Sequence, residues 1–138
     1  MKFPYVKFPS ADPKRKWISR PLIPIKLIGL RGNWEGYALI DSGADRSLFN
    51  MAIAEEIEVN FEKDLLENFS GIEGGILKAR LSKVKLQIID MEETIEIIAG
   101  FVDSPHISAI LGQDGFFDSF RIKFERDHNI FEITPVSK

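Results

Sequence analysis

The chain has 138 residues, of which 44% are hydrophobic, and this is enough apolar material for the core of one folded domain. It contains no cysteine, which excludes disulfides, zinc–thiolate sites and a thiol nucleophile. The net charge of −3 is unevenly divided. Residues 1–20 carry six basic residues and one acidic residue (+5), whereas the remainder carries 12 basic and 20 acidic residues (−8).

Residues 1–20 contain three prolines and show neither a helical nor a strand period, so we expect a basic extended arm followed by one domain over residues 21–138. Such an arm could contact nucleic acid or an anionic surface. Its one cluster, Lys14-Arg15-Lys16, supplies few phosphate contacts, and a solvated extension is the plainer interpretation. Because signal-peptide and membrane-span patterns are missing, we expect a cytoplasmic protein without a membrane partner.

From residue 21 onwards the pattern predicts β-structure. Strands are predicted over residues 22–28, 34–40, 77–89, 94–102, 120–124 and 130–133, and a short helix over residues 50–57. Asn50 is a suitable cap for the helix. In the long strand the apolar positions change from odd to even numbers, which predicts a bulge or a bend near Ser82. The whole predicts an all-β fold, a small and mostly antiparallel barrel with one or two short helices.

The most informative segment is residues 38–48, where an apolar run ends abruptly on Asp41 and is followed by Ser42 and Gly43. The three residues alone also suit an ordinary turn. Two further segments follow in order: a glycine-rich stretch over residues 69–76, and an apolar-apolar-glycine element over residues 109–114.

Together these segments resemble the active-site segment, the flap and the apolar-glycine element of retroviral-type (retropepsin-like) aspartic proteases. The resemblance spans about residues 21–135 and implies a small closed acid-protease barrel. It implies that Asp41 is the catalytic acid, that Ser42 and Gly43 shape the active-site turn, and that a flap covers a peptide or protein substrate. The substrate-binding residues that it implies are Ala44, Asp45, Gly71, Ile72, Glu73, Gly74, Gly75 and Ile110.

Hydrolysis of a peptide by carboxylates needs two of them, one accepting and one donating a proton. A second Asp-Thr/Ser-Gly is absent from the sequence, since the segments that begin at Asp103 and Asp118 lack the glycine. We therefore expect a two-fold homodimer that brings together two copies of Asp41. Two departures from the family stand out. Gln113 replaces an arginine that would pair with Asp45, and Glu73, in the flap, would favour basic or polar substrates.

Other chemistries fit less well. The two histidines, His106 and His128, have no neighbouring ligand set, so we expect no metal, and water as nucleophile requires no cofactor. No Gly-x-Ser-x-Gly motif is present. One rival is a catalytically inactive, dimeric peptide-binding or assembly module of the same fold, and the intact Asp-Ser-Gly argues against it. Another is a basic-armed nucleic-acid-associated domain, which the lack of a basic-aromatic pattern beyond residue 20 argues against.

Overall fold

The computed structural model describes residues 1–61, 66–72 and 75–137, which form twelve β-strands, two short α-helices and one 3-10 turn. The strands are β1 Lys2–Pro4, β2 Val6–Pro9, β3 Trp17–Arg20, β4 Leu22–Ile28, β5 Asn33–Ile40, β6 Leu48–Asn50, β7 Leu66–Ile72, β8 Gly75–Ile88, β9 Thr94–Val102, β10 Ala109–Leu111, β11 Phe120–Glu125 and β12 Ile130–Pro135. The helices are α1 Met51–Ile57 and α2 Phe116–Ser119, and the 3-10 turn is Arg126–His128.

Six of the strands close into a barrel in the order β4-β5-β10-β6-β9-β8, with β8 pairing back to β4. The pairings β5–β10 and β6–β9 are parallel, and the other four are antiparallel. A seventh strand, β7, extends this sheet as a hairpin with the first half of β8. The prediction of a small, mostly antiparallel closed barrel with two short helices is therefore confirmed.

The barrel core follows from the alternation of side chains along its strands. In β4, Ile23, Ile25 and Leu27 are fully buried, and the residues between them are partly exposed. Helix α1 packs its apolar face against the same core. Its predicted cap is confirmed, because Asn50 Oδ1 accepts a hydrogen bond from the Ala52 N–H at 3.0 Å.

Of the two alternatives predicted near Ser82, a bulge or a bend, the bulge is wrong. The strands β8 and β9 pair in unbroken register from Ala79 opposite Val102 to Gln87 opposite Thr94. The apolar pattern changes face because the two faces of β8 are covered at different points along the strand. Ala79 packs in a small cluster with Val102, whereas Val84, on the other face, packs in the main core.

The N-terminal residues contact the end of the chain. Strand β1 pairs with β12, and Phe3 is buried with its ring stacked on Phe131 at 5.7 Å between centroids. Strands β2 and β3 form a separate two-stranded hairpin. The division of the chain at residue 20 stays a prediction.

The short strand β10 lies between β5 and β6 and brings its end against the loop of residues 41–47. Gly112, directly after β10, allows this close approach. A Cβ atom at Gly112 would lie 2.6 Å from the carbonyl oxygen of Ala44 and 2.7 Å from that of Arg46. Both neighbours are backbone atoms, so no side-chain rotation could relieve the clash, and glycine is required here for its small volume.

We expect the substitution Gly112→Ala to lower the free energy of unfolding by about 1–3 kcal/mol, because the loop must move away from β10. Gly32→Ala is the matched control, since nothing lies within 4 Å of a Cβ placed there. The control should change stability little, and urea unfolding monitored by tryptophan fluorescence measures both variants. Equal unfolding midpoints for the two variants would contradict this account of Gly112.

Candidate active site

Asp41 lies at the point where the buried strand β5 leaves the barrel. Ile40, the last residue of β5, is 4% exposed, and Asp41 is half-buried. The Asp41 N–H donates a hydrogen bond to the carbonyl oxygen of Leu111 at 2.9 Å. The parallel pairing of β5 with β10 thus continues by one bond into the loop and fixes the backbone of the acid.

The carboxylate of Asp41 is held by its own turn. Its Oδ1 accepts a hydrogen bond from the Gly43 N–H at 2.9 Å, and its carbonyl oxygen accepts one from the Ala44 N–H at 3.2 Å. A Cβ at Gly43 would lie only 3.2 Å from Asp41 Oδ1, so glycine also leaves room for the carboxylate. The predicted turn of Asp41, Ser42 and Gly43 is therefore present, and a backbone N–H orients the acid within it.

A buried serine, Ser47, connects the loop that contains this turn to the end of β10. Ser47 has no exposed surface, and its Oγ accepts a hydrogen bond from the Gly112 N–H at 3.0 Å. The bond joins the loop to the end of β10, where the Gly112 N–H would otherwise be buried without a partner. Sequence reasoning missed Ser47. Its only signal was a hydroxyl directly before the apolar residues of β6.

Gln113 holds the same turn from its outer side. Its Nε2 donates to the carbonyl oxygen of Ser42 at 2.7 Å, and its N–H donates to that of Ala44 at 2.8 Å. The next residue, Asp114, donates its N–H to the carbonyl oxygen of Asp45 at 2.7 Å. The sequence marked Gln113 only as a departure from the family's arginine. In the structure its side-chain amide contacts the backbone of the turn that follows Asp41.

Arg46 connects the turn to the hairpin of β7 and β8, and no sequence pattern predicted this contact. Its Nε donates to Glu67 Oε2, on β7, at 2.7 Å, and its Nη1 donates to the carbonyl oxygen of Ile98, on β9, at 3.1 Å. The two side chains are only 17% and 36% exposed, so solvent screens this ion pair less than a surface pair. Arg46 thus joins the loop, the barrel wall and the base of the hairpin.

The predicted flap falls on the β7–β8 hairpin, whose backbone pairing ends with Ile72 opposite Gly75. Gly71 lies in β7, with an irregular register between Ser70 and Ile72. Glu73 and Gly74, two of the predicted substrate-binding residues, lie outside the described residues.

The remaining predicted contact residue, Ile110, is half-buried in β10 beside Leu39 and Leu48. Like Asp41, it belongs to the part of the barrel where β5, β10 and β6 adjoin. Within the described ranges, no group of three or more His, Asp or Glu side chains is arranged to hold a metal ion. In the same part of the chain, no helix is long and apolar enough to cross a membrane.

Comparison with solved structures identifies the fold. No protein-family model and no curated protein sequence matches this chain. A retropepsin-like aspartic protease from Rickettsia conorii superimposes with a TM-score of 0.55 at 12% identity, over 94% of this chain and 98% of that one. The EIAV protease in complex with an inhibitor superimposes with a TM-score of 0.54 at 20% identity, over 68% of this chain and 82% of that one. The chain therefore has the retropepsin-like fold that its three motifs indicated.

Proposed function

We propose that the protein is a homodimeric aspartic endopeptidase in which Asp41 of each subunit supplies one of two catalytic carboxylates. The observation that carries the proposal is the setting of Asp41. It is a half-buried acid at the end of a buried strand, fixed by the Gly43 N–H and by the carbonyl oxygen of Leu111. The structural similarity to two proteases, one from Rickettsia conorii and one from EIAV, supports the same assignment of Asp41.

The requirement for two subunits follows from the number of acids that the chain offers. Asp41 is the one Asp-Ser-Gly aspartate of the sequence. A two-fold axis beside the turn would place two equivalent carboxylates face to face, since isologous contacts pair each residue with its own copy. Ser42, Gly43 and Gln113 are exposed on this side of the loop and are available to a partner subunit.

The chemistry needs one proton shared by the pair. The ionised carboxylate takes a proton from water, and the resulting hydroxide equivalent attacks the peptide carbonyl carbon. The protonated carboxyl group donates its proton to the carbonyl oxygen. The first carboxyl then protonates the leaving nitrogen as the C–N bond breaks, and the second takes a proton back from a hydroxyl group of the collapsing intermediate, which restores the singly protonated pair. The Gly43 N–H keeps Asp41 Oδ1 in place throughout, so less reorganisation is required at the moment of reaction.

The β7–β8 hairpin is the proposed cover for the substrate. It projects beyond the six barrel strands, and the Arg46–Glu67 bond at 2.7 Å anchors its base to the active-site loop. A hairpin fixed at its base and rich in glycine toward its tip can close over an extended peptide and exclude water. Ala44, Asp45, Ile110 and the hairpin residues are the proposed substrate contacts. The expected cytoplasmic location stays a prediction.

Replacing Asp41 with Asn should lower peptidase activity by at least about 100-fold, because one substitution removes both acids of the dimer. Asn retains an Oδ1 that can accept the Gly43 N–H, so the turn and the fold should persist. Asp103→Asn is the matched control, as an exposed aspartate outside the site that should leave activity unchanged. Cleavage of a diverse peptide library, followed by mass spectrometry, measures all three proteins.

Equal turnover by the wild type and the Asp41→Asn variant would contradict the assignment of Asp41. A wild-type protein that binds library peptides without cleaving any would instead support the inactive peptide-binding module. Circular dichroism and thermal unfolding establish that each variant is folded before its activity is compared.

Specific activity should fall on dilution through the range in which the dimer dissociates, because each subunit alone holds half of the catalytic pair. Sedimentation velocity locates that range, and initial rates are measured across it. A tandem protein with two copies joined by a flexible linker is the control. It should keep its specific activity at dilutions where the unlinked protein loses it. Constant activity of the unlinked protein as a monomer would rule out the shared site.

A further inference from the structure

The β2–β3 hairpin leaves one edge of β3 open to a cleft. Within the described residues β3 pairs with β2 alone, so its other edge is unpaired, and all four residues of β3 line a cleft of about 600 Å³. The lining consists of β3, the two residues before it, and Arg126 from the 3-10 turn. This hairpin takes no part in the barrel or in the site around Asp41.

The register shows which backbone groups of β3 face the cleft. Trp17 pairs with Pro9, which has no N–H to donate, and at the next position the Ser10 N–H donates to the Lys16 carbonyl oxygen at 3.3 Å. Hydrogen-bonded and non-hydrogen-bonded pairs alternate along an antiparallel ladder. Phe8 and Ile18 therefore form the hydrogen-bonded pair, and Trp17 and Ser19 direct their N–H and C=O groups away from β2. In agreement, the Ser19 carbonyl oxygen accepts a hydrogen bond from Arg20 Nη1 at 3.1 Å rather than from β2. The free edge is a short row of backbone donors and acceptors.

The cleft is strongly cationic. Arg15, Lys16, Arg20 and Arg126 line it, and none of the acidic residues that the structure describes does. The acids nearest to them in sequence have other partners. Asp12 Oδ1 accepts the Lys14 N–H at 2.9 Å, Glu125 Oε1 lies 3.2 Å from Lys123 Nζ, and Asp127 lies 3.3 Å from His128. Arg126 is positioned by a 2.6 Å bond to Asn129 Oδ1. Between the two ends of this charged lining, the indole of Trp17 is 51% exposed.

We propose that this cleft docks an extended acidic segment of a partner protein, which adds to β3 as a third strand. A four-residue strand is about 13 Å long and pairs with about four residues of ligand. The cations before and after β3 would bind carboxylates toward the two ends of that segment, and Trp17 would pack on an apolar residue between them. A nucleic acid fits less well, because it does not offer peptide N–H and C=O groups that alternate at the spacing of a strand edge. The docking does not depend on Asp41 or on catalysis.

Ser19→Pro tests the strand addition. It removes the N–H that faces the cleft but keeps the charge of the cleft and the bonds between β2 and β3, and an edge strand tolerates proline. Ser19→Ala keeps the N–H and is the matched control. The probe is a fluorescein-labelled hexapeptide of alternating glutamate and valine, and its binding is followed by anisotropy. We expect about tenfold weaker binding by Ser19→Pro and by the double variant R15Q/R20Q, and unchanged binding by Ser19→Ala.

A second experiment changes the peptide instead of the protein, so that a folding defect of a variant cannot explain the result. The same hexapeptide methylated on alternate backbone nitrogens keeps its carboxylates but cannot pair with β3, and it should bind about tenfold more weakly. Equal binding of the methylated and unmethylated peptides would overturn strand addition. The proposal would also be overturned if the hexapeptide did not bind. It would be overturned as well if a single-stranded oligonucleotide bound more tightly and displaced the peptide. Self-association through this edge, detected by sedimentation of the Ser19→Pro variant against wild type, would assign the cleft to a second copy instead.

Discussion

The arrangement of the candidate site depends on the parallel contact between β5 and β10. It fixes Asp41 through the carbonyl oxygen of Leu111, and it brings Gly112 against the backbone of residues 44–46. Both consequences require β10 to lie between two strands that are consecutive in the chain, β5 and β6. A loop connecting neighbouring strands would be free to move. Because β10 separates them, the loop must cross over its end and is held there.

Around this contact the site is stabilised mainly by hydrogen bonds to backbone atoms. Ser47 accepts from Gly112, Gln113 donates to Ser42, and Gly43 donates to Asp41. Each of these bonds joins a side chain to a backbone group, so each constrains the course of the chain directly. Gln113, at the position where the resemblance implies an arginine, donates within the subunit to the carbonyl oxygen of Ser42. Among the described residues, the ion pair of Arg46 with Glu67 is a charged connection from this loop to the hairpin.

The sequence predicted the fold well because most of its strands have a clear period. In β4 the alternation of Ile23, Ile25 and Leu27 with partly exposed residues is unambiguous. The motif around Asp41 predicted the turn because an apolar strand that ends on a carboxylate, with a glycine two residues later, is typical of a sharp change of chain direction. The prediction failed in β8, where an alternation of side chains cannot show which layer covers each face. It also missed Ser47 and Arg46, whose partners Gly112 and Glu67 are distant in sequence and are brought near by the closure of the barrel.

The β2–β3 hairpin leaves the rest of the fold and returns to it at nearly the same point. Its two ends meet, since Val6 pairs with Arg20. The chain on either side is also fixed, by the Tyr5 N–H bonded to Asn129 and by the Pro21 carbonyl oxygen bonded to Ile40. Joining residues 5 and 21 by a short turn would cost little loop entropy and would leave every barrel strand in place. The fold can therefore gain, lose or exchange this hairpin as a unit, so evolution can alter what it recognises without disturbing the geometry around Asp41.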